Sequence, residues 1–303
     1  MLFIKQIYLI HKELKEVSCF EKILLLFYLF FCQNLIYNVI TIINGEKIKG
    51  VVFMRFGVPI VLKHRDLNNS PVSISINYDA PLLSLMKLGL YKTNLDLFKK
   101  LYEAPTQKLF ATSVYFPEAK FAKDRIILGK ENKLVLFFST DDLNLGMNFY
   151  NAFIYLHHVS KISTALTFGP DLTAEVWKLY LVNVPKITQN KVLFKTMSPI
   201  VLRDPNNKFL VCTNKDDMQK FNEVLVQNTI GKLTDHPELL AYAKDLKFIP
   251  IQTKHTIRKE YNLAINATRG LFILQGNPAL LNFLQNAGLG SKTGSFAGMI
   301  TAI

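Results

Sequence analysis

Residues 277–300 read NPALLNFLQNAGLGSKTGSFAGMI. The opening is a helix start, with Asn277 as N-cap and Pro278 at the first helical position. Gly288 can end that helix as its C-cap. Capping does not account for Gly290, Gly294 and Gly298, which come in quick succession after it. Glycines allow a backbone to come close to a phosphate and to offer successive N–H donors as a nest. Lys292 adds a charge, and Ser291, Thr293 and Ser295 add hydroxyl donors.

Upstream of this loop the pattern alternates between short strands and helices. KVLFKTMSPIVL and KFLVCT read as strands around a turn at Asp204–Asn207. KDDMQKFNEVLVQNTIGKL is a helix with Met218, Phe221, Val224 and Leu225 on one face. KFIPIQTKHTIRKEY and TRGLFILQG are strands. An earlier round precedes this one. MRFGVPIVLKH is a strand, and NYDAPLLSLMKLGLYK and NLDLFKKLYEA are helices, the second capped by Asn94. KLFATSVYF is a strand, and DRIILG and KLVLFFST read as a hairpin around Gly129–Asn132. DDLNLGMNFYNAFIYLHHV reads as a helix with acidic residues in its first turn, and AEVWKLYLVNV as a strand. The order is βα-ββ-αβ, twice. It predicts an α+β chain of two tandem ferredoxin-like (split βαβ) domains, 54–186 and 187–303, the second carrying the C-terminal glycine-rich loop.

Half of the 303 residues are hydrophobic, enough for a sizeable core, and the net charge is +13. Such a surplus suits a polyanion, and it suits a plain lysine-rich surface equally. The three cysteines, Cys19, Cys32 and Cys212, have no metal-ligand spacing, which fits a reducing compartment. A P-loop, a dinucleotide fingerprint and HExxH are all missing from the sequence.

Residues 1–53 differ in vocabulary, being mostly Ile, Leu, Phe, Tyr, Lys and Asn. Ile23–Ile43 is long enough for a membrane span. A membrane anchor, a buried helix and translated AT-rich upstream sequence are the three readings, and the last is favoured. KGVVFM, residues 49–54, permits a ribosome-binding site before Met54, so a native start at Met54 and a cytoplasmic location are expected. Only six lysines and four glutamates precede Met54, so the basic surplus belongs to residues 54–303.

Gly288-Leu-Gly290, five residues, then Phe296-Ala-Gly298 resembles the G-x-G-(x)5-G-h-G loop of the CRISPR-associated repeat-RNA endoribonucleases, a family of repeat-associated RNA-binding proteins. Phe296 departs from the motif. TMSPIVLRD (196–204) with the helix after it, and KLFATSVYF, resemble two further segments of that family in the same order. The resemblance runs from Met54 to the C-terminus. It implies metal-independent cleavage of CRISPR repeat RNA to guide RNAs ending in a 2′,3′-cyclic phosphate, with no cofactor. The alternative it leaves is a weakly active or inactive subunit that binds repeat or guide RNA within an effector complex.

The resemblance also implies catalytic places. Tyr102 stands where histidine is usual, Lys108 keeps the lysine place, and Lys87 occupies the usual tyrosine place. Leu95, Phe98 and Tyr102 also share a helical face, so core packing explains Tyr102 equally well. Expected RNA contacts are Gly288, Gly290, Ser291 and Lys292 in the loop. Lys254 and Arg258 on one strand face, and Arg203, are candidates whose plainer reading is a solvated, charge-guarded edge. His64 and His255 are substitute catalysts; His157 and His158 end a helix, where a cation is ordinary.

Overall fold

The computed structural model describes residues 53–66, 71–104, 106–162, 166–212, 218–260 and 263–303. The expectations for the leader, including Ile23–Ile43, lie outside the described residues. Among those described, no helix is long and apolar enough to cross a membrane.

The first half is built on β1 (Met54–His64), β2 (Phe110–Tyr115), β3 (Lys133–Thr140) and β4 (Leu172–Val176). They lie in the order β2-β3-β1-β4 with antiparallel neighbours. Two-residue strands extend the sheet, Thr167–Phe168 on β4 and Tyr180–Leu181 on β1. Strand alternation puts Phe56, Val58, Ile60 and Leu62 of β1 on one face, all fully buried. Helices α1 (Asp79–Thr93), α2 (Leu95–Tyr102) and α3 (Leu143–Ile162) belong to this half. Phe56, Phe138 and Phe110 stack in sequence, and Phe149 of α3 closes on Phe138 at 4.5 Å between ring centres. The Asn94 side chain caps α2 by accepting from the Leu97 N–H at 3.0 Å, as its position predicts.

The second half uses β5 (Lys191–Thr196), β6 (Lys247–Glu260), β7 (Leu263–Gln275) and β8 (Ile300–Ala302). Their order is β6-β7-β5-β8, again antiparallel. Counted within each half, the two sheets have the same strand order. Helices α4 (Met218–Lys232), α5 (Pro237–Ala243) and α6 (Pro278–Ala287) complete it. The Asp204–Asn207 turn forms between two short paired strands, with the Asp204 carboxylate accepting from the Lys208 N–H.

Three local expectations change. Arg125–Ile127 does not pair with β3; it joins Ser73–Ser75 and Lys120–Phe121 in a separate small sheet. The turn at Gly129–Asn132 exists, with the Asn132 N–H on the Gly129 carbonyl, but the chain changes sheets there because both edges of β3 are occupied by β1 and β2. α3 carries no acid in its first turn; Asp142 stands just before it and accepts from the Leu145 N–H. The last strand, β8, comes after the glycine loop and is three residues long, too short to show a periodicity.

The halves meet along α6. Every residue from Leu280 to Ala287 is buried, because this helix packs on both sheets. Arg55 of β1 is buried in the same seam. Its guanidinium donates to the Ser139 hydroxyl and to the carbonyls of Gln285 and Ile300.

Candidate nucleic-acid interface

Gly288 ends α6 with φ 88° and donates its N–H to the Leu284 carbonyl, so its role is a cap. Gly290 and Gly298 both have positive φ. A Cβ at either would collide with a backbone carbonyl, that of Val201 or of Leu289. The expected row of free N–H donors is largely consumed within the protein. Leu289 donates to Gly298, Ser291 to Val201 at 2.7 Å, and Gly298 to Pro199. Phe296 donates to the Thr112 hydroxyl and Met299 to the Ser198 hydroxyl. The loop is therefore first a structural plug between the halves. Phe296, the departure from the family motif, holds the left-handed φ of 60° that glycine would adopt freely. Its ring is buried 6.2 Å from the Tyr78 ring in the core of the first half, which compensates the strain.

What the loop leaves open is the stretch 290–295. With Thr106, Gln107, Lys108 and Lys232 it lines an open cleft of about 310 Å³. Ser291 donates to Asn228 Oδ1 at 2.5 Å, and Asn228 donates to the Arg203 carbonyl, tying the cleft wall to α4. Among the described residues, three lysines and no carboxylate line this cleft, so its field favours an anion.

The three residues proposed for catalysis come together. The Lys108 ammonium lies 4.8 Å and the Lys87 ammonium 5.0 Å from the centre of the Tyr102 ring. Lys108 thus belongs both to this cluster and to the glycine-loop cleft. Tyr102 also packs on Phe98 at 5.6 Å and joins the core of the first half, whereas Leu95, on the same predicted face, is exposed. The Tyr102 hydroxyl is buried and makes no hydrogen bond. Burial raises its pKa well beyond the ordinary phenol range, because the phenolate would be desolvated. The hydroxyl is accordingly a poorer proton donor than the sequence alone implied.

The remaining candidates scatter. Lys254 is exposed on the edge strand β6, opposite Arg269 of β7. These two and Lys195 line a second, wider cleft of about 570 Å³. Arg258 sits on the same strand, but its guanidinium is held by the Asp79 carboxylate at the start of α1. That pairing joins the long β6–β7 hairpin to the first half. Arg203 is exposed on a short strand. His255 pairs with Asn266 at 2.9 Å, and His157 donates to the Val176 carbonyl at 2.6 Å. His64 lines a different cleft, with Tyr78 and Arg125. Lys232, Gln107 and Asn228 had no sequence signal: a lysine ending a helix reads as an ordinary dipole partner.

Several solved structures share this fold. One, of an RAMP protein binding different RNA substrates, is 19% identical, covers 82% of this chain and 99% of its own, and superposes with a TM-score of 0.64. The product of a Cas6-related gene from Pyrococcus furiosus is 18% identical over 83% and 99% of the two chains, with a TM-score of 0.65. A Cas6 product complex from Thermus thermophilus is 15% identical over 83% and 100%, with a TM-score of 0.59. Curated proteins give no match. The likeness to these structures is one of fold. Residues 182–302 match the family model of the CRISPR-associated protein Cas6, C-terminal. The likeness to Cas6 at the level of sequence is thus carried by the second half of the chain.

Proposed function

We propose that this chain processes CRISPR precursor RNA by endonucleolytic cleavage within the repeat. Its body is two tandem ferredoxin-like domains, 54–186 and 187–303; the repeated β-order of the two sheets supports that division. The observation that carries the reading is the position of Lys108, shared between the Tyr102–Lys87 cluster and the glycine-loop cleft. A phosphodiester seated there has its negative charge beside Lys108, Lys232 and Lys292. Loop residues Gly290, Ser291 and Lys292 hold the backbone, and exposed Arg203 and Lys254 are further contacts outside this cleft.

The reaction requires no metal. The ribose 2′-oxygen attacks the adjacent phosphorus and loses its proton, the bond from phosphorus to the 5′-oxygen breaks, and that oxygen gains a proton. A 2′,3′-cyclic phosphate and a free 5′-hydroxyl result. Lys108 and Lys87 stabilise the extra charge of the phosphorane, a contribution that acts in the transition state. Tyr102 supplies a rigid aromatic support between the two ammonium groups, each within cation–π range. With no histidine in that place and a buried tyrosine hydroxyl, cleavage is slow. This favours the second reading, a subunit that binds repeat or guide RNA beside other effector proteins in the cytoplasm and cuts poorly.

Incubation of the purified chain with a labelled CRISPR-repeat RNA in EDTA tests both. A single cut with a cyclic phosphate end supports the nuclease. Binding that weakens steeply with salt, without cutting, supports the binding subunit. Absence of both refutes the proposal.

A further inference from the structure

Lys232 is the last residue of α4 and only 3% exposed, yet it lines the cleft with Lys108 and Lys292. Its ammonium donates to the Gly288 carbonyl at 2.6 Å, at the C-terminal end of α6. An ammonium has three donors, and one carbonyl satisfies one of them. A buried charge without a counter-charge is costly, and among the described residues no carboxylate lines this cleft. Holding a loop carbonyl requires only one neutral donor, so a lysine here is more than the fold demands. An anion entering between Lys108 and Lys292 would supply the missing counter-charge.

We infer that Lys232 contacts an RNA phosphate at the floor of the Gly290–Ser295 cleft, as the innermost cation of that site. The inference rests on the cleft being the RNA site proposed above, and it adds a residue that the family resemblance did not point to. It also couples binding to protons. Burial lowers the Lys232 pKa to about 7, so part of the population is neutral at physiological pH. A bound phosphate favours the ammonium form, so RNA binding takes up a proton. Affinity then falls as pH rises above 7, by at most about tenfold per pH unit for one linked proton. The charged or titratable groups around Lys232 are Lys108 and Lys292 in the cleft wall, and Lys220 and Glu223 on α4 itself. On and beside the elements packed against α4 they are Arg203, Asp204, His236 and Glu238. A Lys232 variant separates its titration from theirs.

The experiment measures the affinity of the full chain for a fluorescein-labelled RNA copy of a CRISPR repeat from pH 6.5 to 8.5. Wild type and Lys108→Met are expected to lose affinity above pH 7. Lys232→Met is expected to bind at least about tenfold more weakly at pH 6.5 and to show a flat profile there. Wild-type affinity and slope in Lys232→Met would overturn the inference. RNA binding by none of the proteins at any pH would refute the reading on which it rests. A second measurement does not depend on the variant folding. The Lys232 side-chain NMR resonance of the wild type should titrate near pH 7 when free and at clearly higher pH with the RNA bound. An unchanged midpoint would overturn the inference.

Discussion

Tyr102→Phe removes one oxygen and little else, and the structure gives the change a sign. That oxygen is buried and has no hydrogen-bond partner. A hydroxyl in that position costs about 1–3 kcal/mol in lost hydration. The ring keeps its contacts with Phe98, and phenylalanine retains most of the attraction to the Lys87 and Lys108 ammonium groups. The variant should therefore be more stable by about 1 kcal/mol, a gain of about 2–4 °C in Tm for a chain of this size. Urea denaturation and calorimetry measure this directly. Cleavage of repeat RNA at pH 7 should remain within about threefold of wild type, since a proton held that tightly contributes little to general acid catalysis. A loss of stability above about 1 kcal/mol would show that the hydroxyl has a favourable role in the fold. A drop in cleavage of a hundredfold or more with stability unchanged would show that the oxygen takes part in chemistry, and the support role argued for Tyr102 would be wrong.

Lys108→Ala should slow cutting about a hundredfold or more while changing RNA affinity less than tenfold, because phosphorane charge is stabilised mainly in the transition state; single-turnover and binding assays separate the two. Gly290→Ala places a Cβ against the Val201 carbonyl at φ 78° and should lower stability by about 2 kcal/mol, whereas Lys292→Ala should weaken RNA binding with little change in Tm. Asp79→Ala strands the Arg258 guanidinium, whose side chain is 9% exposed, and should cost about 3 kcal/mol in a denaturation assay. Burial raises the Asp141 pKa from 3.8 to about 6, so the folded state holds a proton there that the unfolded chain has released. That group's contribution to stability declines as pH rises from about 4 to 6, and Asp141→Asn should gain on wild type over that window, reaching about 3 kcal/mol at pH 7; a constant difference across pH would contradict the assignment.

Local signals carried most of the elements. Asn94 and Asn277 mark helix starts because their caps are satisfied within three residues, and β1 reads as a strand from its own alternation. The glycine loop was visible because positive φ selects glycine at Gly288, Gly290 and Gly298. The convergence of Lys87, Tyr102 and Lys108 followed from family resemblance, whereas their distances came only from the packed chain. What sequence spacing could not reveal were the long-range partners. Phe296 is held by Thr112 and Tyr78, Arg258 by Asp79, and Arg55 by carbonyls more than two hundred residues away. Lys232 is the sharpest case: its α4 position looks like any lysine at a helix end. Only the packing of α4 against the glycine loop removes its water and turns it toward the cleft, and desolvation is a property of the assembled fold that no local pattern encodes.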